Sequence, residues 1–144
     1  MVILDTNILS LLHYANSTEA AVLLKRLRDE RVSHCCVTII SFEEQMRGWL
    51  AASASAKTDE KLEWAYERLR KLIGEYQRYP ILDFDMLSIV RFNELKKRHC
   101  RIGTMDLRIA AVALAHDALL ISRNLIDFQK VPGLRVEDWT QPVP

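Results

Sequence analysis

The sequence predicts an α/β protein: a parallel sheet of five strands in a three-layer arrangement, flanked by helices. Two observations carry this. Strand-like and helix-like stretches alternate along the whole chain, the order that builds crossover units and hence a parallel sheet. The opening run Val2-Ile3-Leu4 is also apolar throughout rather than alternating, as suits a strand covered on both faces. At 144 residues the chain is expected to form one domain over 1–144, long enough for a substantial core.

The elements follow in order. The first strand runs into Asp5-Thr6-Asn7, and Ile8 to His13 reads as a short helix capped by Thr6 or Asn7. A second helix is expected from about Ser17 to Glu30, because Ala20, Leu23, Leu24 and Leu27 recur on one face. His34 to Ile40, small and β-branched, reads as the second strand. Ser41-Phe42-Glu43-Glu44 then has the spacing of a capping box and starts the next helix. The small, polar stretch Ala51 to Thr58 predicts a bend. Beyond it Leu62, Ala65, Leu69, Leu72, Ile73 and Tyr76 form one helical stripe, so the two helices should pair as a hairpin. Tyr79-Pro80 stops that helix before a brief third strand, Ile81-Leu82. Asp85 caps a helix to about Arg98, and another runs from Thr104 or Met105 to about His116. Leu119 to Ser122 is the fourth strand and Leu134 to Val136, after the Pro132-Gly133 turn, the fifth.

Composition narrows the function classes. Twenty Lys and Arg against 19 Asp and Glu leave a net charge of +1, so any basic surface is local. Three cysteines without a CxxC pair form neither a disulfide framework nor a zinc site, which fits a reducing compartment. No signal peptide and no apolar run of bilayer-spanning length is visible, so a cytoplasmic location and no membrane partner are expected.

The chemistry-bearing residues are acids. Asp5 falls at the carboxyl end of the first strand, where open α/β sheets place their ligands, although it would also serve as a helix cap. Asp106 opens a segment, Leu107 to Ala115, that is apolar nearly all round. An acid entering such surroundings must be paired, capped into backbone donors or bound to a cation; a favourable first-turn position on the helix dipole is the plainer alternative. Glu44 either closes the capping box on Ser41 or faces the same sheet edge as Asp5. Asn124 and Asp127, just past the fourth strand, each read on their own as turn residues. In a parallel sheet all these positions share one edge. Acids gathered there repel, raising one another's pKa values or recruiting a divalent cation, and an all-oxygen site suits Mg²⁺ or Mn²⁺. Such a cation serves phosphate chemistry.

At this point the residues resemble a known family. Leu4-Asp5-Thr6-Asn7, then Ser41-x-x-Glu44-x-x-Arg47-Gly48, then Gly103-Thr104-x-Asp106-Leu107-x-Ile109-Ala110-Ala111, resemble the successive motifs of PIN-domain nucleases. The tail Ser122-Arg123-Asn124-x-x-Asp127-Phe128, followed by Val131-Pro132-Gly133-Leu134-x-Val136-Glu137-Asp138-Trp139, is similar to the VapC toxins of toxin–antitoxin pairs. The resemblance spans essentially the whole chain. It implies a PIN-like fold, a homodimer, and a Mg²⁺- or Mn²⁺-dependent endoribonuclease held inactive by a VapB-type antitoxin. Asp5, Glu44 and Asp106 match the family's metal-binding acids. Two positions depart: the fourth acid often stands where this chain has Asn124, and Gln45 replaces the usual Leu.

The expected mechanism has Asp5 and Asp106 holding the cation, with Glu44 and Asp127 acting through water or orienting the nucleophile. Asn124 would orient a water, or Asp127 would supply the missing charge. Thr6, Asn7, Arg47, Thr104 and Arg123 are candidate RNA contacts, beside Lys96 and Arg101. The alternative is a PIN-like module that binds RNA or protein through a degenerate, inactive site. A phosphatase forming an aspartyl-phosphate is disfavoured because the position two after Asp5 is Asn7, not an acid. A metal-free ribonuclease would want paired histidines, and His13, His34, His99 and His116 sit in unrelated contexts.

Overall fold

Every strand pair is parallel, as the continuously apolar first strand requires. The computed structural model describes residues 1–14 and 16–143, the side chain of Tyr14 excepted. In chain order the elements are β1 (Val2–Leu4), α1 (Thr6–Tyr14), α2 (Thr18–Asp29), β2 (Cys35–Thr38), α3 (Ile39–Ala54) and α4 (Asp59–Tyr76). They continue as β3 (Ile81–Leu82), α5 (Met86–Lys97), α6 (Thr104–Ala115), β4 (Leu119–Ile121), α7 (Leu125–Phe128) and β5 (Arg135–Glu137). The sheet order is β3-β2-β1-β4-β5, with Ile3 opposite both Cys36 and Leu120. The chain thus builds outward from β1 to one side and later to the other. The reversal leaves a crevice between the carboxyl ends of β1 and β4, where folds of this kind take their ligands.

Alternate strand residues feed two cores. Val2, Leu4, Val37 and Ile121 pack with Ile8, Leu23, Leu72 and Tyr76, from α1, α2 and α4. Ile3, Cys36 and Leu120 face the other way, onto Phe92, Leu95, Leu107, Ala110 and Ala111 of α5 and α6. Each fully buried Leu or Ile contributes roughly 1.5–3 kcal/mol, so a two-faced burial holds β1 in one register. Ile109 to Ala113 are all completely buried. The small alanines let α6 approach the sheet closely, which fixes the start of α6 against the crevice.

Asp85 caps α5 as expected, accepting from the Ser88 N–H at 2.9 Å, and Ser17, just before α2, caps it by accepting from the Ala20 N–H at 3.2 Å. Several boundaries differ. β2 ends at Thr38, not Ile40, and Thr38 rather than Ser41 caps α3, its Oγ1 accepting from Ser41 N at 3.0 Å. Ile39 and Ile40 have strand propensity, but as the first helical turn they place Ile40 in the core, and burial decides. The expected bend is delayed: α3 continues through Ala54, because alanine suits a helix and the Ser53 and Ser55 hydroxyls turn back onto the carbonyls of Leu50 and Ala51. α1 begins at Thr6 rather than Ile8, β5 is shifted one residue later, and the short α7 had no periodicity to reveal it.

Candidate active site

Asp5 stands in the crevice, 4% exposed, directly after β1. Its backbone N–H still donates to the Ile121 carbonyl at 3.0 Å, so it is held in the sheet. Its backbone carbonyl, not its carboxylate, receives the N–H groups of Ile8 and Leu9. The carboxylate accepts from Thr6 N at 2.8 Å and from Ser122 Oγ at 2.6 Å. Burial raises its pKa, and those two donors pull in the opposite direction without reversing the shift.

From Ser122 a hydrogen-bonded chain leads to the other acids. The Ser122 hydroxyl, completely buried at the end of β4, donates to Asp5 and accepts from Asn124 N at 3.0 Å. The Asn124 amide nitrogen donates to Asp127 Oδ2 at 3.2 Å and to Asp106 Oδ2 at 3.4 Å. Asp106 lies in the first turn of α6, which Gly103 opens without a side-chain cap. Its carboxyl is pushed up to about 6, first by burial and then by the charges of Asp5, Glu44 and Asp127. Asp127 is held the other way: its bonds to Asn124 and to Lys130 Nζ, at 3.1 Å, lower its pKa.

Glu44 reaches the cluster from α3. With Thr38 as the cap, Glu44 closes no capping box on Ser41, whose hydroxyl is instead buried against Thr38 Oγ1 at 3.0 Å. Glu44 Oε1 accepts from Thr6 Oγ1 at 2.8 Å, and Thr6 directly follows Asp5 in the chain. Beneath them, Tyr76 has its hydroxyl buried without a hydrogen-bond partner. Burial and the charges of Glu44 and Asp5 push its pKa up, so it remains a neutral phenol.

The outer candidates divide. Thr6 belongs to the cluster through Glu44. Asn7 is turned to structure, its Oδ1 accepting from Arg123 N at 3.3 Å and pinning the segment after β4. Arg47 pairs with Glu43 at 2.8 Å, and the Arg123 guanidinium lies 4.0 Å from Glu19. Thr104 opens α6 at the surface. The residue that sequence reasoning missed is Ser122: it was seen as the end of a strand, and its role depends on a bond to a residue 117 positions away.

The donor set can be tested against a divalent cation. Among the described residues, no three His, Cys, Asp or Glu side chains converge closely enough to enclose an ion by themselves. Mg²⁺ does not ask for that, since it keeps several waters and is held by one or two carboxylates together with substrate phosphate. Asp5, buried, and Asp106, raised chiefly by its own burial and then by the charge of Asp5, supply such a pair. The chemistry of the residues therefore fits the ion.

Comparison with known proteins agrees with this geometry. The "Ribonuclease VapC2" of Haemophilus influenzae is 29% identical over 140 residues, covering 94% of this chain and 96% of that protein. The VapBC-1 structure from nontypeable Haemophilus influenzae superposes with a TM-score of 0.74 over 98% of this chain and 100% of that one, at 24% identity. VapBC2 from Rickettsia felis, solved bound to a promoter DNA fragment, gives a TM-score of 0.70 at 25% identity, over 96% and 99% of the two chains. The family model described as the PIN domain matches residues 2–134. Spanning nearly the whole sequence, that match makes the chain a member of the PIN-domain family.

Proposed function

We propose that the protein is a VapC-like endoribonuclease, the toxin of a toxin–antitoxin pair, hydrolysing RNA phosphodiester bonds with Mg²⁺ or Mn²⁺. The observation that carries this is the meeting of Asp5, Asp106 and Asp127 through Ser122 and Asn124, with Glu44 joined through Thr6. Its ribonuclease relatives along the full chain supply the reaction class.

Asp5 and Asp106 are the residues that would hold the cation. When bound, the ion polarises the phosphoryl oxygen and lowers the pKa of water. The chain's own contribution is positioning. Ser122 and the Thr6 N–H fix both oxygens of Asp5, so its carboxylate cannot rotate away when substrate enters. Asn124 spans Asp106 and Asp127 and keeps two like charges apart at a fixed spacing. Thr6 aims Glu44, and Glu44 with Asp127 orients the attacking water for in-line displacement, leaving a 5′-phosphate and a 3′-hydroxyl. Arg47, Arg123 and Thr104, all exposed, would meet RNA phosphates.

The partners of this reading are an RNA substrate, a cognate VapB-type antitoxin, and a second copy of the chain in a homodimer. Among the described residues no helix is long and apolar enough to cross a membrane, and the reading places the protein in the cytoplasm. Asn124, standing where an acid is usual, favours a second reading: a PIN-like module that binds RNA or protein without cutting.

Purified protein incubated with RNA and Mg²⁺ or Mn²⁺ separates the two. Cleavage that chelator abolishes, and that Asp5→Asn and Asp106→Asn each remove, supports the nuclease. Persistence of metal-dependent cleavage in both variants would sink the assignment of the acids, and Mn²⁺ binding without cleavage of any RNA would favour the binding module. Mapping new 5′ RNA ends after induction with and without the antitoxin tests the toxin role.

A further inference from the structure

Next to the acids lies a cavity of about 660 Å³ that the proposed chemistry does not use. It opens between α1, α3 and α4, and Thr6, Ser10, Gln45, Trp49, Trp64 and Arg68 contribute to its lining. Thr6 belongs to both places, since it lines the cavity while its hydroxyl donates to Glu44 at 2.8 Å. The cavity is therefore continuous with the edge at which a scissile phosphate would sit.

Its walls are aromatic. Trp49 and Trp64 meet edge to face, with centroids 5.2 Å apart and planes at 89°. The Arg68 guanidinium carbon is 5.2 Å from the centre of the Trp49 ring. Trp64 is 52% exposed, which wastes an indole if folding were its only purpose. One part of the wall is bare: a Cβ placed on Gly48 would meet nothing within 4 Å. The floor is polar. Gln45 Nε2 donates to Ser10 Oγ at 3.3 Å, and an amide has a second hydrogen and a carbonyl with which to read a ligand edge. Gln45 is also the position at which this chain departs from the pattern it otherwise resembles.

We propose that this cavity receives an unpaired nucleobase adjacent to the scissile phosphate. A base has a flat π-face for the indoles and a hydrogen-bonding edge for Gln45 and Ser10. Within a duplex that face is stacked and that edge is paired, so neither is available. The position given to the phosphate rests on the nuclease reading above. An apolar side chain of a protein partner would suit the indoles but would leave the Gln45 amide and the Ser10 hydroxyl unanswered.

The test measures binding apart from cutting. Asp5→Asn protein is titrated with a labelled single-stranded oligoribonucleotide in Mg²⁺, and affinity is read by anisotropy. Adding Trp64→Ala should weaken binding roughly 5- to 150-fold, the range for loss of one base–aromatic stack. Trp64→Phe should restore most of it, and Gly48→Leu, which fills the bare wall, should weaken it as Trp64→Ala does. Replacing one base of the oligonucleotide by an abasic linker should give a similar loss that does not add to that of Trp64→Ala. Because Trp64 is half in water and Gly48 is helical, both variants should melt close to the parent, and melts confirm that they fold.

Unchanged affinity in both variants overturns the proposal, as does equal affinity for a fully paired duplex. So does selective loss of binding to a protein partner while RNA binding stays intact. Cleavage by the unmutated protein is followed in parallel. If it cuts while Trp64→Ala leaves affinity unchanged, the cavity assignment falls and the nuclease stands. If it cuts no RNA while the binding losses appear as stated, the nuclease falls and the cavity assignment stands.

Discussion

Replacing Ser122 with alanine deletes a single hydroxyl at the most constrained point of the crevice. That hydroxyl donates to the buried Asp5 carboxylate at 2.6 Å and accepts from Asn124 N at 3.0 Å. A hydrogen bond to a charged group is worth about 1.5–3 kcal/mol and a neutral one about 1 kcal/mol. Ser122 is 0% exposed, so water does not take its place, and Ser122→Ala should destabilise the metal-free protein by roughly 2.5–4 kcal/mol. For a chain of this length that is a fall in Tm of roughly 5–15 °C. The pH dependence carries the sharper information. Asp5 has a folded pKa above its unfolded value of 3.8, so its ionisation opposes folding, and the Ser122 bond is what moderates that opposition. Without it the folded pKa rises further. The excess destabilisation is then fully present where Asp5 is ionised in both states, and it disappears on acidification to where both states hold the proton. Urea denaturation in chelator, from about pH 8 down to about pH 3, reads both quantities. A destabilisation below about 1 kcal/mol, or one that does not change with pH, would refute the view that Ser122 holds a charged Asp5.

Three further outcomes follow from the same geometry. Asp106 releases its proton at 3.8 when unfolded and at about 6 when folded, so stability of the metal-free protein should fall as pH rises between those values and then level off. Asp106→Asn should remove that fall and stabilise the metal-free protein at neutral pH by roughly 1–2 kcal/mol, after allowance for a carboxyl that is partly exposed, while abolishing cleavage; a melt series without metal and an RNA assay with it check the two halves. Asn124→Asp removes a donor to both Asp106 and Asp127 and adds a negative charge between them. It should lower the Tm in chelator and tighten Mn²⁺ binding measured by calorimetry; a stable variant with unchanged Mn²⁺ affinity would contradict it. Thr38→Ala removes the α3 cap and should cost about 1 kcal/mol in a denaturant titration, whereas a Ser41 cap would leave Thr38→Ala nearly neutral.

The residues show how far local pattern reaches. Val2-Ile3-Leu4 implies a strand buried on both faces because continuous apolarity has no solvent side to spare, and Asp5 after it inherits the sheet edge. The apolar wrap of Leu107 to Ala115 likewise forces a buried helix whose first acid needs an explanation. Glu44 was ambiguous for a physical reason: Thr38 and Ser41 are both competent caps three residues apart, and only the burial of Ile40 selects Thr38. Asn7, which the sequence offers as a helix cap or an RNA contact, instead accepts from Arg123 N, a partner 116 positions away. Asp127 stood in a segment too short to show a period, so neither α7 nor its bond to Lys130 was visible.

By itself the sequence determined the alternation of strands and helices, the parallel sheet, and the three acids placed where β1, α3 and α6 meet one edge. These depend on periodicity and on neighbours a few residues apart, which a linear string records. Only the tertiary structure decided that Ser122 holds Asp5, that Asn124 spans Asp106 and Asp127, and that Trp49 and Trp64 wall a cavity beside Glu44. Contacts of that kind are set by how whole faces pack, and packing selects among several partners that the local chemistry leaves equally acceptable.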